Sequence, residues 1–571
     1  MKYYCQQLVH TKDAGARSDT GGAEWVVEDD DEEAPLTCLG EVKRLLHITG
    51  PLSIESTLWF VCSSLMSLAF VGHLGKLPLA ACVLANSVYN ISGYSLVVGM
   101  AAGMNSLSGQ AFGAGNLQAM SLLLQRALVL SCGLSCIVWA AWTQLYYILP
   151  LLGQDAGIAA LASRFLQISA PSLVLNGIAV CLRNHLMAQL DVVVASLMSA
   201  ALTVVTPCVN YTLIYVAGMG LDGAAMANNV EAALYCALLA AYFVVKERGL
   251  VKSGRHTWHG LSRGAFRGWG QYLSVALPAL SMKCTEWWLF EALVLMAGIL
   301  PDPEQNVSVT GIAYNLTSLA YLAFPLGLCD ALSTMVATQL GAGRWRSARH
   351  SARVALCLAA GVMAVAAGAI GAGRNLWPRL FTHDTQVMAL CTAILPLTAV
   401  STFTDGINAT LAGVVTGAGR QATGAAINFC TYWGVGLSLA ATLAFHAGLD
   451  VRGLWLGLMA GSGTQTVVML TYVLTLNWER EARRAREKFK PPHGEAAGGA
   501  ASGPVAASTG VVNNGRALDG AGGDLEEGPP PRDGALLPAV CVALPDQPLA
   551  VAAGAGGLAP GHELPARQPL L

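Results

Sequence analysis

The sequence contains few charged residues. Asp, Glu, Lys and Arg make up 12% of its 571 residues, whereas soluble domains carry about a quarter. Hydrophobic residues make up 54%, and this composition predicts an integral membrane protein rather than a soluble globular one. The 15 cysteines are scattered singly, so they predict neither a metal site nor a disulfide framework.

Motifs for enzymatic and nucleotide chemistry are also lacking. The apolar segments end in neither paired Asp clusters nor His-rich metal sites, so a membrane-embedded enzyme is disfavoured and we expect no cofactor or metal. The GAG triplets at 113–115 and 341–343 lack the lysine and third glycine of a nucleotide-binding loop. An ATP-driven pump is disfavoured because no nucleotide-binding domain is recognised. No nucleic-acid partner is expected.

Twelve apolar segments of membrane-spanning length follow one another along the chain, and we predict that each forms a transmembrane helix. A closed barrel is excluded because these segments are too long and too uniformly apolar for its strands. The segments are 45–69, 78–104, 122–149, 157–181, 193–217, 222–245, 272–300, 308–337, 351–373, 386–414, 422–446 and 451–475.

Basic residues concentrate in alternate loops. The connection after the sixth segment carries Lys246, Arg248, Lys252, Arg255, Arg263 and Arg267. Because Lys and Arg are enriched in cytoplasmic loops, both termini are predicted to be cytoplasmic.

Matched motifs divide the chain into two halves. The GAG triplets end the second helix of each half, and "GLD" at 220–222 recurs at 448–450. Four prolines, predicted to break helices, also occur in matched pairs, which are Pro51 with Pro278 and Pro171 with Pro396. Six helices per half place both halves in the same orientation, so the predicted fold is all-α, with two six-helix parallel-repeat lobes.

The predicted domains follow from these boundaries, and the protein is expected to be a monomer. They are an acidic cytoplasmic N-terminus (1–43), a first lobe (44–246), a basic cytoplasmic linker (247–270), a second lobe (271–476) and a disordered cytoplasmic tail (477–571).

Four carboxylates within the predicted spans are candidate functional residues, namely Glu55, Glu286, Glu291 and Asp405. An acid at the centre of a spanning helix costs about 2.5–3.5 kcal/mol, so such residues usually have a partner, a cavity or a function. Glu286 and Asp405 lie on the first and fourth helices of the second half and could converge in one cavity. Glu286 and Glu291 are about 140° apart around a helix and cannot share a narrow face.

Two buried carboxylates close together can hold a proton in one state and release it in another. Such a pair attracts a cation when deprotonated and releases it when protonated, which is the chemistry of an exchanger. The alternative is structural, because Lys283 precedes Glu286 by three residues and could simply neutralise it.

Several motifs resemble the multidrug and toxic compound extrusion (MATE) family, most closely its plant-type eukaryotic members. They are "FVGHLGKLPLAA" at 70–81, "EWWLFEALVLMAGILPDP" at 286–303 and "QLGAGRWRSAR" at 339–349. The resemblance implies two six-helix lobes that open as a V and an antiporter that exports organic solutes in exchange for cations, with protons favoured over Na⁺. It also implies that Glu286, Asp405 and Glu291 are the coupling carboxylates.

The sequence departs from the family pattern in places. Ser67 stands where many bacterial members carry a coupling aspartate, and Asn315 stands where animal members have a further acid. Lys283 and Glu55 are not expected from the pattern.

The expected substrate is an organic cation or an aromatic small molecule, for which Trp287 and Tyr314 offer cation–π and aromatic contacts. Either the plasma membrane or a vacuolar or other organellar membrane fits the sequence. A flippase for lipids or lipid-linked solutes, from the same superfamily, is the alternative transporter function.

Overall fold

The computed structural model describes residues 37–151, 154–252, 256–381 and 384–490, and within them the ordered elements are helices. Twelve are long. They are α1 Cys38–Gly72, α2 Lys76–Gly113, α3 Leu117–Trp142, α4 Ala156–Ala188, α5 Val193–Val216, α6 Gly220–Val251, α7 Trp269–Ala297, α8 Pro303–Gly341, α9 Trp345–Ala372, α10 Thr385–Gly417, α11 Gln421–His446 and α12 Asp450–Thr475. The amphipathic helix α13, Trp478–Lys488, follows them.

Each predicted span coincides with one long helix, and ten of the twelve are long and apolar enough to cross a membrane by length and composition. Short elements join some of them, namely the helix Leu145–Leu151 and the turns Arg263–Phe266 and Trp377–Leu380. The prediction of an all-α membrane fold is therefore confirmed.

The two halves repeat in structural detail. Asp155 and Asp384 cap α4 and α10 in the same way, each accepting two backbone N–H bonds at its helix start, and both helices have 33 residues. π-Helical turns end α5 at Thr212–Val216 and α11 at Thr442–His446. These matched features support the internal duplication inferred from the motifs.

The four matched prolines do not break their helices, contrary to the prediction. Pro51, Pro171, Pro278 and Pro396 each lie inside a continuous helix. Proline is tolerated in spanning helices because neighbouring groups satisfy the freed carbonyls. An interruption occurs instead in α8 at Phe324, whose backbone leaves the helical region (φ −148°) before a proline restarts the helix.

The GAG motifs allow the two lobes to approach each other. A Cβ on Gly113 of α2 would lie 2.0 Å from the backbone oxygen of Thr338 in α8, and a Cβ on Gly341 of α8 would lie 2.2 Å from that of Gln110 in α2. The glycines are therefore required because the two helices cross backbone to backbone. This crossing lies at the end of the bundle that carries the basic connections, hereafter the basic face.

The linker between the lobes is shorter than predicted. Helix α6 continues to Val251, and the buried carboxylate of Glu247 accepts hydrogen bonds from the backbone N–H groups of Thr257 and Trp258. These bonds fasten the start of the linker to the first lobe. Arg255, assigned to this linker, lies outside the described residues.

The tail was predicted to be disordered from residue 477. Its first residues instead form helix α13, which packs against the bundle. Its apolar side places Trp478 in the core beside α8 and α9, while Phe489 enters the core of the first lobe. Arg420 and Glu481 form an ion pair of 2.5 Å that anchors it further. The remainder of the tail, and the acidic N-terminus before residue 37, lie outside the described residues.

Candidate functional site

A small cavity of about 40 Å³ lies within the second lobe, closed on one side by α2 of the first lobe. Its volume holds about three water molecules. Polar side chains from five helices of the second lobe line it. Among them are Lys283 and Glu286 (α7), Tyr321 and Asp330 (α8), Asn408 (α10), Tyr432 (α11) and Gln465 (α12).

Glu286 supplies the cavity with a carboxylate. It is half-buried on α7, and the Tyr321 hydroxyl of α8 lies near it. Both side chains line the cavity, so the carboxylate of Glu286 is accessible from it.

Asp405 lies behind the same cavity and is 7% exposed. Its Oδ1 accepts a 3.4 Å hydrogen bond from the Tyr432 hydroxyl, while its Oδ2 is buried without a hydrogen-bond partner in the described part of the chain. Tyr432 also lines the cavity beside Glu286, and the two carboxylates interact electrostatically. The structure therefore brings the two sequence-predicted acids of α7 and α10 together around one cavity.

Lys283 faces the cavity but forms no direct ion pair. Within the described residues no carboxylate oxygen lies within 4.0 Å of its amino group, although it interacts electrostatically with Glu286 and Asp330. The structural alternative, in which Lys283 simply neutralises Glu286 by direct contact, is not what this conformation shows.

Glu291, Tyr314 and Asn315 lie outside the cavity. Glu291 is half-buried and interacts electrostatically with Tyr314 of α8. The ring of Tyr314 packs 5.5 Å from that of Phe290. The side-chain amide of Asn315 donates to the Gly311 carbonyl one turn earlier at 2.9 Å. The structure therefore separates Glu291 from Glu286 and Asp405.

Trp287 lies at the boundary between the lobes. Its ring stacks on Tyr94 of α2, with centroids 6.3 Å apart, and Tyr94 in turn stacks on Trp59 of α1 at the same distance. Trp59 is 40% exposed. These three rings form an aromatic row that runs from one lobe to the other.

Glu55 is explained by an ion cluster that sequence reasoning missed. Its carboxylate lies 3.4 Å from Arg183 of α4, and Arg183 also lies 3.6 Å from Asp330 of α8 in the other lobe. Sequence reasoning also missed Glu231 of α6, which accepts a 2.8 Å hydrogen bond from Ser63. The signal was present, because each of these residues is a charge within an apolar span.

Together the two-lobed helical bundle and its buried, acidic cavity define a multi-pass membrane transporter. The MatE family model matches residues 51–212 and 278–442, which is more than half of the chain. The chain therefore belongs to the MATE family.

Individual relatives agree with this assignment. The chain is 33% identical to Protein DETOXIFICATION 16 of Arabidopsis thaliana, over 79% of this chain and 91% of that protein. It is also 33% identical to Multidrug and toxin extrusion protein 2 of Mus musculus, over 78% of this chain and 76% of that protein. The crystal structure of the eukaryotic MATE transporter AtDTX14 matches 79% of this chain and 99% of that one, with a TM-score of 0.74 and 31% identity. The predicted family and the prediction that the chain is not an enzyme are confirmed.

Proposed function

We propose that this protein is an antiporter that exports organic cations or aromatic small molecules in exchange for protons. The observation that carries the proposal is the pair of carboxylates Glu286 and Asp405. Glu286 lines a cavity in the second lobe, and Asp405 accepts a hydrogen bond from Tyr432, which lines the same cavity. Relatives named for detoxification and for multidrug and toxin extrusion support the export of foreign or secondary compounds.

The exchange follows because a proton and a cationic substrate compete for the same carboxylates. A proton on the pair removes the negative charge that attracts a cation, and loss of the proton restores it. The aromatic row of Trp59, Tyr94 and Trp287 supports a flat or cationic substrate, because rings bind such groups through their faces. With the basic face in the cytoplasm, export would take substrate from that side.

Reconstituted protein in liposomes tests the proposal. An imposed pH gradient should drive uptake of substrates from a panel of organic cations and phenolics, and adding substrate should move protons in the opposite direction. Accumulation that follows an imposed Na⁺ gradient and ignores the pH gradient would contradict proton coupling. Transbilayer movement of lipid without any transport of the panel would favour the flippase alternative.

A further inference from the structure

The ion cluster of Glu55, Arg183 and Asp330, hereafter the inter-lobe ion cluster, crosses the boundary between the lobes. Arg183 and Glu55 belong to the first lobe, while Asp330 belongs to the second. Their side chains are 17%, 11% and 19% exposed, so their charges are largely shielded from solvent. Buried charges depend strongly on their partners, because an unpaired one is costly. The cluster therefore holds α4 and α8 together across the boundary.

The same Asp330 also lines the cavity that contains Lys283 and Glu286. Asp330 is thus shared between two cations, Arg183 from the first lobe and Lys283 from its own lobe. Lys283 in turn has two carboxylates near it, Glu286 and Asp330, and makes direct contact with neither. Its long, flexible side chain can reach toward either one.

We propose that Lys283 couples protonation of Glu286 to the contact between the lobes by moving between Glu286 and Asp330. When Glu286 is ionised, Lys283 pairs with it, and Asp330 is left to Arg183, which holds the lobes together. When Glu286 is protonated, Asp330 becomes the nearest ionised partner of Lys283. Lys283 then competes with Arg183 for Asp330, and the inter-lobe ion pair weakens. This inference rests on the proposed proton coupling and extends it.

The expected direction fits an antiporter. Weakening the Arg183–Asp330 ion pair loosens the contact between the lobes on the side of the cavity that faces the Gly113–Gly341 crossing. A protein loaded with a proton at Glu286 would therefore be released to open at the basic face, where it exchanges the proton for substrate. Lys283 and Asp330 are positioning residues in this scheme, since the exchange itself takes place at the carboxylates of the cavity.

Other ionisable groups face this region, and their contribution to the pH response must be distinguished from that of Glu286. They are Tyr94, Tyr235, Tyr321, Cys329, Asp405 and Tyr432, in addition to the inter-lobe ion cluster. Tyrosine and cysteine stay neutral over the range from pH 5 to pH 7.5 at their ordinary pKa values. In the linker, burial and the neighbouring His256 lower the pKa of His259 below its ordinary value.

Hydrogen exchange measured by mass spectrometry on the full-length protein in nanodiscs tests the coupling without a substrate. The reporters are peptides that cover the ends of α2 and α8 at the Gly113–Gly341 crossing, compared at pH 7.5 and pH 5 after correction for intrinsic exchange. In the wild type, exchange should rise about fivefold or more at pH 5, within the usual range of coupling between two sites. Glu286→Gln, which mimics the protonated state, should show the raised exchange at both pH values.

Lys283→Met should abolish this response to pH and leave exchange low, because Arg183–Asp330 no longer has a competitor. Lys283→Arg should retain the response, and Asp330→Asn should raise exchange at both pH values. Lys246→Met is the matched control, because Lys246 forms a 2.8 Å ion pair with Asp191 inside the first lobe. If Lys283→Met folds poorly, Lys283→Gln makes the same test.

A wild-type response to pH in folded Lys283→Met or Lys283→Gln would overturn the inference and leave the ion cluster as a static clamp. The absence of any pH response in the wild type would overturn it as well. Neither result would affect the proposed antiport, which fails only if transport is not driven by a pH gradient.

Discussion

The two lobes share one helical plan but place different chemistry at matched positions. Asp405 lies twenty residues after the first residue of α10 (405 − 385), and Asn176 lies twenty residues after the first residue of α4 (176 − 156). Each forms a hydrogen bond with a tyrosine. Tyr432 donates to Asp405, and Asn176 donates to the hydroxyl of Tyr89. The duplicated scaffold thus holds an ionisable group in the second lobe and a neutral amide in the first.

The buried acids of the two lobes also differ in their partners. Glu55 of the first lobe pairs with Arg183, and Glu231 accepts a hydrogen bond from Ser63. In the second lobe, Glu286 lines the cavity and Asp405 lies behind it, and neither forms an ion pair within the described residues. We infer that the first lobe serves mainly as a packing partner and the second as the proton-binding lobe.

The largest effect is expected from substitutions at the Gly113–Gly341 crossing, where both lobes carry a GAG motif. Gly113→Ala and Gly341→Ala each place a Cβ within about 2.2 Å of a backbone oxygen in the other lobe, so the helices must separate. Overpacking of this kind costs about 1–3 kcal/mol, and both variants should lose thermal stability and transport. Gly361→Ala in α9 is the control, because nothing lies within 4 Å of its new Cβ. Wild-type stability in both crossing variants would show that the crossing is not tightly packed in solution.

A reciprocal exchange at the matched position tests the chemical difference directly. Asp405→Asn makes the second lobe resemble the first, and it should fold normally but lose transport driven by a pH gradient. Asn176→Asp should not restore coupling when combined with Asp405→Asn, because the new carboxylate lies beside Tyr89 in the first lobe and not beside Tyr432 at the cavity that Glu286 lines. Restored coupling in that double variant, measured in proteoliposomes, would show that the lobes are chemically interchangeable.

A smaller effect is expected from substitution of Glu231, a buried acid of the first lobe. Glu231→Gln keeps an oxygen to accept the bond from Ser63, so folding and coupling to the pH gradient should both persist. Transport rates should change by less than about threefold, as for the loss of part of one hydrogen bond. Complete loss of proton-coupled transport in well-folded Glu231→Gln would place a second proton site in the first lobe.

The smallest effect on transport is expected from shortening the tail. Truncation after Lys490 should leave transport unchanged, whereas truncation after Leu476 should lower thermal stability. The longer deletion removes the buried Trp478 and Phe489, each worth about 1.5–3 kcal/mol of burial, and leaves Arg420 without Glu481. Equal melting temperatures for the two truncated proteins would show that α13 does not join the lobes in solution.

Much of the fold could be predicted from the sequence, because apolar segments of membrane length and matched motifs report directly on helices and duplication. The helix α13 was missed because its composition is highly charged, and only its spacing of Trp478, Ala482 and Ala485 indicates a buried side. The prediction that the four matched prolines break their helices was wrong, because a local steric rule does not say whether neighbouring groups satisfy the freed carbonyls.

The candidate site could be predicted only in part. The cost of a charge in a membrane singled out Glu286 and Asp405, and family resemblance gave them a role. Sequence alone could not show that Glu55 pairs with Arg183 or that Glu291 lies outside the cavity, because these facts depend on how helices rotate and pack in three dimensions.

The most direct test of the central claim measures proton coupling in Glu286→Gln. The variant keeps the size of the side chain and most of its hydrogen-bonding capacity but cannot titrate. In proteoliposomes it should not accumulate substrate when a pH gradient is imposed, although its thermal stability should match that of the wild type. Well-folded Glu286→Gln that accumulates substrate against its gradient at the wild-type level would contradict the account.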